Sequence, residues 1–180
     1  FMVSLEQPEH GVDVRDVARA IASAAAVQPD GHVLLIGGDD SWKLPARELR
    51  REMFGAMGLS LPAERAFRPN PDPSRNEGWF YESWMDTTQS EQLLRFQRVS
   101  HDDFMDELRR LKRRQRLLLA PLRPIVSRAM TSASPYVGKK AITPGLTLWD
   151  DICTVFEVPE NVARSRSSMP PPPPPFATGP

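Results

Sequence analysis

The chain has 180 residues, with 23 basic and 23 acidic side chains and therefore a formal net charge of zero. This length can bury the core of one domain, and the overall charge balance favours neither a nucleic-acid partner nor a membrane partner. The charges are nevertheless segregated, because residues 109–149 carry ten basic side chains and no acidic one. A single cysteine, Cys153, excludes an internal disulfide, and the three histidines lie too far apart to form a metal-ligand motif.

The hydropathy and the first residue of the chain lead to two further expectations. The sequence contains no run of about eighteen apolar residues, so we expect no transmembrane helix and a cytoplasmic protein. The chain opens on Phe1, inside what reads as a strand or a loop, and we therefore expect a fragment of a longer reading frame.

Residues 12–38 are predicted to form a strand, a helix and a second strand, and the rest of the chain is organised around this unit. Apolar residues recur at helical spacing from Val17 to Ala25, and the alanines among them make that face thin. The apolar run at 33–36 is uninterrupted and ends at Gly37-Gly38, which is typical of a strand buried on both faces of a parallel sheet. Such a helix and such a strand need a larger sheet than this chain supplies.

Further helices are predicted downstream from their end signals. Pro45 fits the first turn of a helix that Gly58 ends in a left-handed conformation. The Asp-Thr pair at 86–87 can cap the next helix, and the Ser-x-x-Asp at 100–103 is the start of another. Between residues 59 and 78, four prolines and little periodicity indicate a long irregular connection, and loops of this length are usually functional or mobile.

Three stretches, in this order, resemble a known family. VDVRDVARAI, VLLIGG and WMDTTQSEQLLRFQ, within residues 8–112, are similar to the C-terminal half of an extended short-chain dehydrogenase/reductase of the NAD-dependent epimerase/dehydratase family. That family usually has His where Asp13 stands here and Gly in place of Arg95. The resemblance implies an α/β fold of partial Rossmann type, made of the C-terminal strands and helices of such an enzyme. It also implies the substrate-side part of an NAD(P)-dependent sugar-nucleotide epimerase, dehydratase or related reductase, with NAD or NADP as the cofactor of the complete enzyme.

The resemblance further implies three substrate-binding residues. In nucleotide-sugar members of the family, an arginine in the connection before the Trp-x-Asp stretch holds the substrate diphosphate. Arg68 or Arg75 could fill this role, because a guanidinium group matches phosphate oxygens in a bidentate way. Tyr81, in an aromatic cluster at 79–84, is the third candidate contact. The alternatives are a solvated loop arginine and an aromatic side chain that faces a core or a protein partner.

The reaction motifs of the family are missing from the chain. Its ten glycines contain no G-x-G-x-x-G turn for a dinucleotide pyrophosphate. Tyr136 and Lys140 match a Tyr-x-x-x-Lys pair by spacing alone, but Pro135 and Gly138 disfavour the helix that this pair requires. We therefore expect no catalytic residue, no bound cofactor and no turnover from this chain alone.

Two further segments are predicted beyond residue 112, which divides the chain into 1–112, 113–130 and 131–180. Residues 113–130 form a basic amphipathic extension, which is either a solvated face or a contact for anionic lipid or an acidic protein through residues 109–128. Residues 131–180 read as a mostly disordered Pro-rich tail, apart from a short strand or docking segment at 146–158. The alternative function is therefore a non-catalytic adaptor that binds anionic membranes or proteins through the basic segment and the proline tail.

Overall fold

The computed structural model describes residues 1–72, 79, 83–139, 141–145 and 147–159. Over these residues the protein is an α/β structure made mostly of helices, with a small two-stranded antiparallel sheet. The strands are β1 (Pro8–His10) and β2 (Lys43–Pro45), paired in the register Pro8 to Pro45 and His10 to Lys43. The helices are α1 (Val14–Val27), α2 (Ala46–Ala56), α3 (Thr88–Leu94), α4 (His101–Leu111), α5 (Arg113–Leu119), α6 (Arg123–Ser132) and α7 (Leu148–Val155). Within the described ranges, 3-10 turns lie at Asp40–Trp42, Glu64–Ala66 and Ala120–Leu122.

The strands predicted at 12–14 and 33–36 are not formed. Asp13 caps α1 instead, because its Oδ1 accepts a hydrogen bond from the Arg15 amide at 2.8 Å, as expected of Asp at a helix start. Residues 33–36 lie in a non-helical segment without strand pairing, since a strand exists only beside a partner and the described residues place none there. A short strand is found at Pro8–His10, after the first residues of the chain, which read as a strand or a loop.

Helix α1 packs through Ala20 and Ala24, whereas Ile21 and Ala25 of the apolar stripe predicted from Val17 to Ala25 are exposed. Ala20 is buried in a cluster with Leu94 and Phe96, and Leu34 and Ile36 cover that cluster. Among the described residues, none of the helices is both long and apolar enough to span a bilayer.

Asp16, in the first turn of α1, has a larger role than offsetting the helix dipole. Its side chain is fully buried and pairs with Arg19. Its Oδ2 accepts the backbone amides of Arg98 and Val99, both at 3.1 Å. The carboxylate therefore fixes the chain between α3 and α4 against α1.

Trp42, in the 3-10 turn directly before β2, packs that turn against α4. Its Nε1 donates to the Val99 carbonyl at 2.9 Å, and its ring meets His101 edge-on at 5.2 Å between centroids. Phe104 lies 5.3 Å from the same ring. Gly38 contacts the face of Trp42 so closely that a Cβ atom there would overlap the indole.

Several predicted helix ends are confirmed. Gly58 follows α2 with φ +84°, and Ser100 and Asp103 form the capping box of α4. Pro45, predicted in the first turn of α2, is instead its N-cap, one position earlier. Asp86 Oδ1 accepts the Thr88 amide at 3.0 Å at the start of α3. Helix α3 ends at Arg95, whose φ of +50° is in the left-handed region that favours glycine.

The region after residue 112 is more structured than the sequence suggests. Residues 113–132 are helical through α5, the Ala120–Leu122 turn and α6. Residues 131–139 continue against the preceding chain, because Thr131 Oγ1 accepts the Ala63 amide at 3.1 Å and Ser134 Oγ donates to the Ala66 carbonyl at 2.6 Å. The segment expected as a strand or docking segment contains α7, and residues 160–180, with the proline run, lie outside the described part of the chain.

Candidate substrate cleft beside Arg68

Arg68 is positioned by the 3-10 turn Glu64–Ala66 and by a small core beneath it. Ala66 and Phe67 are buried against Leu5, and the Arg68 amide donates to the Phe1 carbonyl at 2.8 Å. The apolar side chains fix the backbone, so the guanidinium group has a defined direction. The irregular connection that starts at residue 59 is thus ordered up to Arg68.

The side chain of Arg68 forms a buried ion pair with Asp151 of α7. Arg68 Nε lies 2.7 Å from Asp151 Oδ2, and the two side chains are 4% and 0% exposed. Arg68 Nη2 also donates to the Gly145 carbonyl at 2.9 Å. Buried charges of this kind are found only where they are paired and hydrogen-bonded.

Asp151 accepts two further hydrogen bonds, which complete its environment. The Gly145 amide donates to Oδ1 at 2.6 Å, and the Tyr136 hydroxyl donates to Oδ2 at 2.8 Å. The pKa of Tyr136 is raised well above its ordinary value, mainly by burial and to a lesser extent by the hydrogen bond to Asp151. An acid/base tyrosine needs the opposite shift, so Tyr136 serves here as a neutral donor that holds α7 in place.

A cleft of about 400 Å³ opens beside this network. Its polar lining includes Arg65, Arg68, Asn70 and Tyr136, and its apolar lining includes Phe67. The volume is within the range of about 300–1,000 Å³ that small-molecule sites occupy. Of the three predicted substrate contacts, the structure therefore places Arg68 on the wall of a cleft of suitable size.

The other two predicted contacts, Arg75 and Tyr81, lie outside the described residues. Arg68 itself is engaged by Asp151, so a substrate phosphate would have to share the guanidinium group with a carboxylate, and its role as a diphosphate ligand stays a prediction. Asp151 was missed by sequence reasoning. The Thr147-x-x-Asp150 capping box that begins α7 was the signal for a helix there, and the buried aspartate follows it directly.

The turn at Gly37-Gly38 is filled by the protein's own side chains. His10 Nε2 donates to the Gly38 carbonyl at 2.9 Å, and the Gln97 amide donates to the carbonyls of Gly37 and Gly38 at 2.9 and 2.7 Å. A Cβ atom at Gly37 would lie 2.8 Å from the His10 ring. The two glycines thus leave space for the side chains of His10 and Trp42. Because these side chains fill the turn, it does not fit a dinucleotide pyrophosphate.

No group of three or more metal-ligating side chains occurs within the described ranges. Comparison of the chain with family models, curated proteins and solved structures finds no match.

Proposed function

We propose that this chain is the substrate-side part of an NAD(P)-dependent sugar-nucleotide epimerase, dehydratase or related reductase, and that it acts only together with a dinucleotide-binding half. The observation that carries this proposal is the unpaired backbone of residues 33–36. Their backbone amides and carbonyls make no hydrogen bond within the described part of the chain. We interpret this unpaired apolar run as a segment that forms a strand only when a neighbouring strand is supplied.

The side chains of this run support the same interpretation. Leu34 and Ile36 lie against the α1 cluster, whereas Val33 and Leu35 are 83% and 46% exposed. This alternation has the period of a β-strand, with one face on a helix and the other face uncovered. In a doubly wound sheet, helices of the other half would cover the second face.

Helix α1 presents a second apolar stripe that is exposed. Val14 and Ile21 are seven residues apart, which places them on one helical face, and they are 77% and 67% exposed. Ala20, about 100° around the helix from Ile21, is buried. A helix with two apolar faces is suited to a position between two packed layers.

Arg95 adds a local point of agreement with the resembled family. That family usually has Gly at this position, and Arg95 adopts φ +50° at the end of α3, a conformation in which glycine is favoured. The backbone course after α3 is therefore consistent with the family pattern even though the side chain differs.

The chain's own residues do not fit NAD(P), so the proposal assigns the cofactor to the other half. Gly37-Gly38 is occupied by His10 and Trp42, and Gly58 lies against the backbone of Arg116. This chain would supply a wall of the substrate site, with Arg68, Arg75 and Tyr81 as the candidate contacts.

The test is to express the 180-residue chain alone and together with the segment encoded immediately upstream of Phe1. We expect NAD(P) and nucleotide-sugar binding, measured by calorimetry, from the combined protein and not from the chain alone. An upstream segment without a Gly-rich turn and a helical Tyr-x-x-x-Lys, or tight NAD(P) binding by the chain alone, would contradict the proposal.

Within the combined protein, Arg75→Ala tests the substrate role. Loss of a charge-assisted contact worth about 1.5–3 kcal/mol should weaken nucleotide-sugar binding by roughly 10- to 100-fold and leave NAD(P) binding unchanged. Arg51→Ala, which removes an exposed arginine on α2, is the matched control and should change neither.

A further inference from the structure

The segment from the last residue of α4 through α5 and the following turn into α6 exposes a group of aliphatic side chains. These residues are between 45% and 74% exposed, and they are Leu111, Leu117, Leu118, Leu122 and Ile125. Single exposed aliphatic residues are normal on a protein surface, but five within fifteen positions mark an interaction surface. Leu118, Leu122 and Ile125 follow one another at intervals of four and three residues, which places them on one side of the helical chain.

The same segment carries arginines that are not neutralised within it. The described residues provide no ion pair to any of Arg113, Arg114, Arg116, Arg123 and Arg128. Arginines elsewhere in the fold, such as Arg15, Arg47 and Arg50, are paired with carboxylates. Residues 109–149 contain no acidic side chain, so these five arginines have no carboxylate nearby in the sequence.

Two shallow clefts lie along this segment and share Arg123. One, of about 280 Å³, is lined by Arg113, Arg116 and Arg123, and the other, of about 600 Å³, by Arg65, Arg123 and Arg128. The guanidinium groups in both clefts can bind phosphate oxygens through their planar fork of donors. The aliphatic residues therefore stand beside positions where anionic headgroups can be held.

We infer that the surface of residues 110–128, called the α5–α6 surface below, docks on a bilayer that contains anionic lipid. Charge complementarity selects an anionic partner. The exposed leucines select a lipid surface among anionic partners, because a helical segment with aliphatic residues on one side and arginines around them lies in the membrane interface with its apolar side in the acyl boundary. None of these residues belongs to the 33–36 face on which the proposed function rests, so either idea can fail without the other.

The test is co-sedimentation of the 180-residue chain with vesicles of phosphatidylcholine and phosphatidylserine, compared with vesicles of phosphatidylcholine alone. We expect binding to the anionic vesicles and little to the neutral ones, and we expect that binding to weaken as salt rises from about 0.1 M to about 1 M. Equal binding to both vesicles, or no binding to either, would overturn the inference.

A charge-reversal pair tests the arginines. Arg113→Glu with Arg114→Glu should weaken binding to the anionic vesicles by about 25-fold or more, since each basic residue near such a surface contributes a factor of about five. The control Arg51→Glu with Arg98→Glu makes the same change in net charge at exposed positions outside the α5–α6 surface. Equal weakening by the two pairs would show only a net-charge effect and would refute a localised site.

An aliphatic pair tests insertion into the bilayer. Leu118→Ser with Leu122→Ser should reduce binding by about 10-fold or more, whereas Val14→Ser with Val27→Ser, at exposed positions of α1, should not. All variants are compared by circular dichroism, because only variants that keep the helical spectrum bear on the site. Inorganic phosphate at matched ionic strength distinguishes a headgroup from a free anion, and full displacement by phosphate would overturn the lipid assignment.

Discussion

The buried pair of Arg68 and Asp151 gives the sharpest test of how the last helix is held. Helix α7 has eight residues, too few to be stable in isolation, so it depends on contacts with the rest of the fold. Asp151 supplies three of them, through hydrogen bonds from Arg68, Tyr136 and the Gly145 amide. Replacement of Asp151 by Asn keeps the shape and removes the charge.

We expect Asp151→Asn to lower the free energy of opening of α7 by about 3–5 kcal/mol, because it removes the charge of one partner of a buried ion pair. Arg68→Met should cost a similar amount, since it leaves the buried carboxylate without its cation. The double variant should lose less than the sum of the two, by a coupling of about 0.5–3 kcal/mol.

Amide hydrogen exchange in α7 is the assay, because local opening is detected even when the remainder stays folded. Asp150→Asn is the matched control: this exposed neighbour is the N3 residue of the capping box, and the amide oxygen of Asn can still accept the hydrogen bond from the Thr147 amide. Exchange in α7 that is unchanged by either single replacement, or a strictly additive double variant, would refute the buried pair as the anchor of the helix.

Three further predictions follow from the fold. Gly58→Ala should destabilise the protein by about 1–3 kcal/mol in urea unfolding, because φ is +84° and the new Cβ would lie 2.6 Å from a backbone atom of α5. The control Gly55→Ala, within α2, adds a Cβ in open space and should be neutral or stabilising by up to about 1 kcal/mol. The pKa of Tyr136 is higher in the folded state than in the unfolded state, where it is about 10. Its contribution to stability is therefore complete below about pH 10 and is lost as pH rises through the pKa of the folded state. Above about pH 10, the free energy of unfolding should depend less steeply on pH in Tyr136→Phe than in the parent. Asp16→Ala should lower the free energy of unfolding in urea by about 3 kcal/mol or more, since it leaves two backbone amides without an acceptor. The control Asp102→Ala, at an exposed position of α4, should have little effect. Equal losses in the two variants would contradict the role of Asp16.

The helices could be predicted where their signals are local. The capping box at Ser100 and Asp103 and the left-handed Gly58 depend on residues a few positions apart, and both are found. The strand at 33–36 could not be judged locally, because strand formation depends on a partner that the sequence pattern does not name. Asp13 was also misassigned from the local pattern. The stretch around it reads as a strand, but Asp13 is the N-cap of α1.

The site was harder to predict than the helices. Arg68 was singled out for phosphate, yet its partner Asp151 is 83 residues away and was not anticipated. Tyr136 was rejected as a catalytic residue on helix propensity, and its raised pKa agrees with a structural role. Long-range pairs of this kind depend on the tertiary course of the chain, which residue spacing does not determine.

Hydrogen exchange at Val33–Ile36 tests the central claim most directly. In the 180-residue chain the amides of this run have no acceptor among the described residues and should exchange rapidly. Joined to the dinucleotide-binding half that the proposed function requires, they should become protected to the level of a central strand. Equally rapid exchange in the joined protein would contradict the account, because the run would then have no sheet to complete.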